Sequence, residues 1–343
     1  MTPATKHTDA AEEGQTSTPV SPGAPGQGRT LLRLLAIDRL SGVYAWGLLI
    51  IIFGVWLPDT FLTTATFKTI SANQAVTALA AMALIIPLTA GLFDLSIAAN
   101  LGLTAVLTLY LQGHGVSMMP AVAISLAAGT LVGVVNGVVV VAVGVNSFIA
   151  TLGMSSVLAA AAFLVTNGTQ LVADPTSHLV TLGQGTALGI SNAVWCALAV
   201  AAVLFYVTEL TTVGRYLYAI GGNLEAARLV GVRVDRVLFG SLVSSGFLAG
   251  LAGVVLSARL GAADSAIGPP YLLPAFSAVL LGATQIKING RANVGGTLIA
   301  VILLATGIYG LQLAGAATWV SDLFNGAALI LAVSLSVRAK GRA

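Results

Sequence analysis

Charge is what this sequence has least of. Lys, Arg, Asp and Glu together make up 8% of its 343 residues, against about 25% in a soluble domain. A water-soluble globule of this length is excluded on that ground alone. Cys196 is the single cysteine, and it falls inside an apolar run, so no internal disulfide is possible. The three histidines lie far apart, at 7, 114 and 178, and no His/Glu or Cys/His spacing suggests a metal site. No Gly-x-x-x-x-Gly-Lys-Ser/Thr phosphate loop occurs, so the chain should neither bind nor hydrolyse ATP. We expect no catalytic group, no metal, no cofactor and no nucleic-acid partner.

What remains is hydrocarbon and glycine. Apolar residues are 57% of the chain and glycines number 39; glycine is more frequent in membrane helices than in soluble ones. A membrane β-barrel would alternate over ~10-residue segments. Here the apolar runs are continuous and ~20 residues long, as a helix crossing ~30 Å of hydrocarbon requires. The fold class is therefore all-α, a polytopic helical membrane protein. Ten spans are expected, at 41–57, 70–90, 95–112, 118–143, 147–166, 191–208, 237–260, 272–285, 294–313 and 318–336. The eighth is too short to cross at full thickness; a tilted, broken or re-entrant segment is tolerated there only if packed against protein. Trp46 and Trp56 bracket the first span as interfacial anchors would. Residues 1–28 are rich in Thr, Pro, Gly and acids and read as a disordered cytoplasmic tail, which leaves 29–343 as the membrane domain. The tail lacks a basic segment leading into an apolar stretch, so it is not a signal peptide.

The few cations set the orientation. With the N-terminus inside, 13 of the 15 Lys and Arg fall on the inner side, and only Lys68 and Arg259 fall outside. Both termini are then cytoplasmic. The outer loops are short except 167–190, which is polar and rich in Gly and Thr. Gly129, Gly133 and Gly137, with Gly246 and Gly250 in the seventh span, form grooves in which helix backbones approach closely. They serve either generic packing or a moving or subunit-facing seam. Asp94 is the one acid placed deep in the membrane, where a carboxylate by default suggests function. It also precedes Ser96 and an apolar run, so it can cap the third span. Asn73, Gln74 and Asn100 could polarise the same region. Asp94, Ser96, Asn100, Asn73 and Thr151 are the candidates for lining a path through the membrane.

A polar island interrupts this pattern at 210–236, with Arg215, Arg228, Arg233 and Arg236. Asn223 is a good N-cap, because its side chain accepts from amides two or three residues on. Glu225 then lies in the first turn, where a carboxylate complements the helix dipole. Ala226 and Ala227 continue the helix, Arg228 sits near its end and Gly231 is placed to stop it. A two-turn helix is unstable alone in water, so it needs its own protein or a partner to pack on. From these residues alone an ordinary inner loop obeying the positive-inside rule remains an alternative.

The island's wording goes further. Gly214-Arg215-Tyr216-Leu217-Tyr218-Ala219-Ile220-Gly221-Gly222-Asn223, with Glu225-Ala226-Ala227-Arg228 and Gly231, resembles the coupling-helix segment of permease subunits of ribose/xylose/galactoside-type ABC importers. Gly91-Leu92-Phe93-Asp94-Leu95-Ser96, Asn136-Gly137, Asn146 to Met154, and Gly282-Ala283-Thr284 with Gly290-Arg291 and Gly295 to Leu298 resemble further motifs of that family, in the same order. Ser147 stands where the family usually has proline, Leu92 where it has glycine before the acid, and Asn289 at the first of a glycine pair.

The resemblance implies a type II ABC importer-like permease fold in a bacterial plasma membrane. It also implies a transport subunit for a monosaccharide or related polyol. Its expected partners are separate ATP-binding subunits, an extracytoplasmic solute-binding protein docking on 167–190 and 261–270, a second permease copy (a homodimer foremost) and membrane lipid. Gly222, Asn223, Leu224, Glu225, Ala226, Ala227 and Arg228 would then couple to the ATPase. The alternatives are a stand-alone secondary transporter or channel, and a related permease for branched-chain amino acids or nucleosides. Secondary transporters often place paired acids and bases at midplane, and Asp94 has no obvious basic partner.

Overall fold

A computed structural model describes residues 37–285 and 291–340. The expected tail, 1–28, and the late-loop residues Lys287, Asn289 and Gly290 lie outside the described residues. Each of the ten expected spans coincides with a helix. The first is α1 (Ile37–Trp56), followed by a single turn, α2 (Pro58–Phe61), and then α3 (Thr64–Thr89), α4 (Ile97–Gly113) and α5 (Met118–Gly137). A π turn, Val138–Ala142, extends α5 before α6 (Ser147–Thr166). After a short outlying helix, α7 (His178–Gln184), come α8 (Asn192–Phe205), with its own π turn Tyr206–Leu210, and the two island helices α9 (Thr212–Gly222) and α10 (Leu224–Leu229). The bundle closes with α11 (Val234–Leu260), α12 (Leu272–Gln285), α13 (Val294–Leu313) and α14 (Trp319–Lys340). By length and composition, six of the described helices can cross a membrane, and the remaining four spans are shorter apolar helices.

The core sits around α3, which is buried without a break from Ala75 to Pro87. A helix that is apolar all round belongs in the middle of a bundle. Helices α8, α11, α12 and α13 pack around it. The short eighth span, α12, spans only about 21 Å at 1.5 Å per residue. It is seated on protein, with Ala275, Ala278, Val279 and Ser277 fully buried, as an incomplete span must be.

The glycine grooves meet each other inside this one chain. A Cβ on Gly129 would lie 2.9 Å from the Gly250 Cα, and one on Gly246 would lie 2.6 Å from the Gly129 carbonyl oxygen. A Cβ on Gly133 would come within 2.5 Å of the Leu242 oxygen. The seam is thus a close α5–α11 contact rather than a surface facing another subunit. It is built as the small-residue rule for membrane helices requires.

The first helix and the long outer segment add detail that the sequence left open. Helix α1 begins before residue 41, so Trp46 falls within the helix. Its indole donates to Thr306 Oγ1 at 3.0 Å, whereas Trp56 is exposed. The polar segment 167–190 carries structure of its own. Leu171–Val172 pairs antiparallel with Ala262–Ala263, a hairpin joins Thr186–Ala187 to Ile190–Ser191, and α7 packs its Leu179 and Val180 inward. Gly183 lies so close to α11 that a Cβ there would sit 2.3 Å from the Ala258 carbonyl. Alternating polarity over two or three residues is too short a signal to be read from sequence.

Candidate functional site

The island folds into two linked helices at the end of the bundle where α3 finishes. Gly214 opens α9 against the preceding turn, since a Cβ there would meet the Thr208 oxygen at 1.8 Å. Leu217 and Ile220 then point into the bundle. Gly221 rests on the last turn of α3, and a Cβ on it would lie 2.0 Å from the Thr89 oxygen. Gly222 is the exposed last residue of α9.

Helix α10 is capped as its sequence suggests. Asn223 Oδ1 accepts from the Ala226 amide at 2.9 Å. Ala227 is buried, while Leu224, Glu225, Ala226 and Arg228 are exposed. Gly231 ends the element at φ +86°, the left-handed conformation that glycine adopts without strain. Arg228 pairs with Asp235 at 3.2 Å, with both side chains more than half exposed. Among the described residues Glu225 forms no ion pair.

The sequence reading passed over the two most conspicuous side chains of this element. Leu229 is 88% exposed and Val230 is 79% exposed, side by side at the tip of a polar segment outside the apolar bundle. An apolar spot rimmed by polar residues marks a contact site. The signal was present in the residues themselves, but without a structure their direction was open.

A second group braces the island. Tyr218 Oη donates to Glu209 Oε1 at 2.8 Å, and the Arg291 guanidinium lies 5.1 Å from the Tyr218 ring centroid. The phenol is pushed above its ordinary pKa by burial and by the Glu209 carboxylate. It therefore stays protonated and keeps donating at neutral pH. This ties α9 to the end of α8 and to the segment leading into α13.

The Asp94 region lies directly behind Gly221, whose Cα is 3.8 Å from where a Cβ on Gly91 would be. Residues 90–96 are non-helical between α3 and α4. Asp94 Oδ1 accepts from the Ser96 amide at 3.0 Å and the Ser96 hydroxyl at 2.6 Å. Its Oδ2 accepts from Ser245 Oγ of α11 at 2.7 Å. Asn136 Nδ2 of α5 donates to Ser96 Oγ at 2.8 Å. Asn100 Nδ2 donates to the Gly129 and Gly246 carbonyls at 3.1 and 3.0 Å, bridging the two halves of the glycine seam.

Helix α6 supplies the rest. The Phe93 amide donates to Ser147 Oγ at 3.2 Å and the Leu95 amide to Thr151 Oγ1 at 3.0 Å. Ser155 Oγ donates to the Leu95 carbonyl at 2.9 Å. Positions 147, 151 and 155 fall four apart, on one helix face. Buried non-helical backbone needs such partners, because an unpaired N–H or C=O there is costly. Ser147, where the resembled family usually has proline, supplies a hydroxyl that proline lacks.

Four of the five expected path residues, Asp94, Ser96, Asn100 and Thr151, thus come together, each no more than 1% exposed. They are bonded to helices of the same chain, and in that state they face no open passage. Asn73 is separate. It lies near the opposite end of α3, accepts a hydrogen bond from the Arg259 guanidinium and lines an open cavity of about 440 Å³. Gln74 likewise stands apart from Asp94, lining an apolar slot. Sequence reading grouped Asn73 and Gln74 with Asp94 because both are amides; the helix that carries them ends at Thr89, about 23 Å further along at 1.5 Å per residue.

The described residues form a mainly helical bundle, six of whose helices are long and apolar enough to cross a membrane, with a capped polar tip and a buried polar turn behind it. Residues 67–333 match the family described as "Branched-chain amino acid transport system / permease component", and the chain belongs to that family. Among curated relatives, a ribose import permease protein of Escherichia coli (strain K12) is 34% identical over 281 residues, spanning 81% of this chain and 87% of that one. A D-allose transport system permease protein of the same strain is 29% identical, over 87% and 91% of the two chains. A fructose import permease protein of Rhizobium meliloti is 32% identical, over 83% and 81%. No solved structure matches.

Proposed function

We propose that this chain is the membrane subunit of an ATP-driven importer for a monosaccharide or related polyol. ATP is hydrolysed on a separate subunit that grips α10. The observation that carries this reading is the exposed Leu229–Val230 pair on a helix with a side-chain cap, seated through Gly221 on the end of the central helix. A force on α10 passes into α9, which Tyr218 braces, and from Gly221 into Thr89 and the 90–96 turn. Asp94, Ser96, Asn100 and Thr151 then act as the fastening of that turn, joining α4, α5, α6 and α11, so that these helices move together. In this reading they shape the path by holding it rather than by touching sugar.

The sugar assignment rests on the relatives named for ribose, allose and fructose. The inner placement of both termini rests on the distribution of Lys and Arg. A second permease copy and a solute-binding protein complete the assembly; the binding protein docks at the end bearing the paired segments 171–172 and 262–263. A second reading, import of a branched-chain amino acid, is favoured by the family's description.

The deciding experiment is reconstitution of the full chain with its ATPase and binding protein in liposomes. ATP-dependent uptake of a labelled monosaccharide but not of leucine is expected. Uptake of leucine alone would select the second reading, and uptake without the ATPase would overturn both.

A further inference from the structure

Two cations stand at the end of the bundle away from α10, and among the described residues no carboxylate lies in salt-bridge range of either. Lys68 and Arg259 line the same open cavity of about 440 Å³. Among the described residues the only ion pair is Arg228–Asp235, which lies at the other end. Arg259 is half-buried and spends one donor on Asn73; the Lys68 ammonium is exposed beside Gly189.

Lys68 also lines a second space. An apolar slot of about 590 Å³ opens beside it, walled by α1, α3, α8 and α13, with Trp46, Ile50, Phe67, Ile70, Leu198 and Ile302 among its lining residues. Along α3 the slot runs from Thr64 to Ala78, about 21 Å at 1.5 Å per residue. One leaflet's hydrocarbon is about 15 Å deep, half of the ~30 Å core. The slot therefore has room for a whole tail. Phe67, Leu198 and Ile302 are exposed along it, so it opens toward the bilayer.

We propose that this is a binding site for an anionic phospholipid, its phosphate held between Lys68 and Arg259 and one acyl chain laid in the slot. A single molecule with an anionic head joined to an apolar tail matches a cationic mouth that shares Lys68 with an apolar slot. The head group neutralises two cations that the described chain leaves without acids. The tail covers the apolar side chains that line the groove. This inference does not rest on the identity of the transported solute or on the coupling role of α10.

The test is native mass spectrometry of the full chain in detergent, titrated with phosphatidylglycerol and with phosphatidylcholine of the same acyl chains. The wild type is expected to retain phosphatidylglycerol preferentially. Lys68→Gln with Arg259→Gln should weaken that retention roughly ten- to thirtyfold, to the phosphatidylcholine level, given the usual contribution of each basic residue near a lipid phosphate. Lys68→Arg with Arg259→Lys should keep the preference. Ile302→Trp, which narrows the slot, should weaken both lipids while leaving the cations in place; these last two variants decide the matter if the double Gln variant fails to fold. Equal retention of the two lipids by the wild type would overturn the proposal. So would thermal protection by inorganic phosphate equal to that by phosphatidylglycerol, which would indicate a soluble anion. Ready disulfide formation between copies carrying Ile302→Cys in native membranes would assign the slot to a second permease and overturn it as well.

Discussion

Replacing Leu229 and Val230 together with alanine should separate transport from ATP hydrolysis without harming the fold. In the free chain these side chains are 88% and 79% exposed, so their removal opens no cavity. Alanine is also the better helix former. Stability should therefore stay within about 0.5 kcal/mol of wild type, as for surface substitutions generally. The loss appears only on docking. Fully burying a Leu or Val side chain is worth about 1.5–3 kcal/mol, and alanine retains part of that. The pair should then lose about 2–3 kcal/mol per subunit, or roughly 30- to 150-fold in the docking constant. Co-purification of the ATPase, sugar-stimulated ATP hydrolysis and uptake should all fall, while the melting temperature of the isolated permease holds. Wild-type coupling in this variant would refute the reasoning. So would a loss of function that merely tracks a fall in melting temperature.

Other perturbations give smaller or differently placed effects. Arg228→Ala breaks an ion pair exposed on both sides; it should change permease stability by under about 1 kcal/mol in a detergent melt. Asp94→Ala leaves the buried Ser96 amide and the Ser96 and Ser245 hydroxyls without their acceptor. It should destabilise the permease by about 3 kcal/mol or more, seen as lower yield and earlier melting. Gly133→Leu drives side-chain atoms into the Leu242 and Val243 backbone and should cost about 1–3 kcal/mol or more, measured the same way. Tyr218→Phe removes the bond to Glu209. It should cost about 1–2 kcal/mol and lower the uptake gained per ATP hydrolysed, leaving binding-protein docking unchanged in a pull-down.

The spans were legible because each buries a continuous apolar run, and hydrocarbon admits few other solutions. The cap on α10 was legible because Asn223, Glu225 and Gly231 act within one or two turns of themselves. The partners of Asp94 were not. Ser245 is 151 residues away in sequence, and nothing local distinguishes it from Ser241 or Ser244. Asn100 looked like a path amide, yet its two donors go to glycine carbonyls on α5 and α11, visible only once those helices are packed. Asn73 failed in the opposite way, since residue type suggested a grouping that the length of α3 forbids. The four short strands escaped notice because two residues carry no periodicity.

The central claim is that this permease moves nothing unless another subunit works its α10 tip. It is tested most directly in liposomes holding the full chain, with binding protein and labelled monosaccharide outside and ATP inside, with and without the ATPase subunit. The account predicts uptake only when ATPase and ATP are both present, and its loss in the Leu229→Ala, Val230→Ala variant. Flux through the permease alone, in either direction, would contradict it.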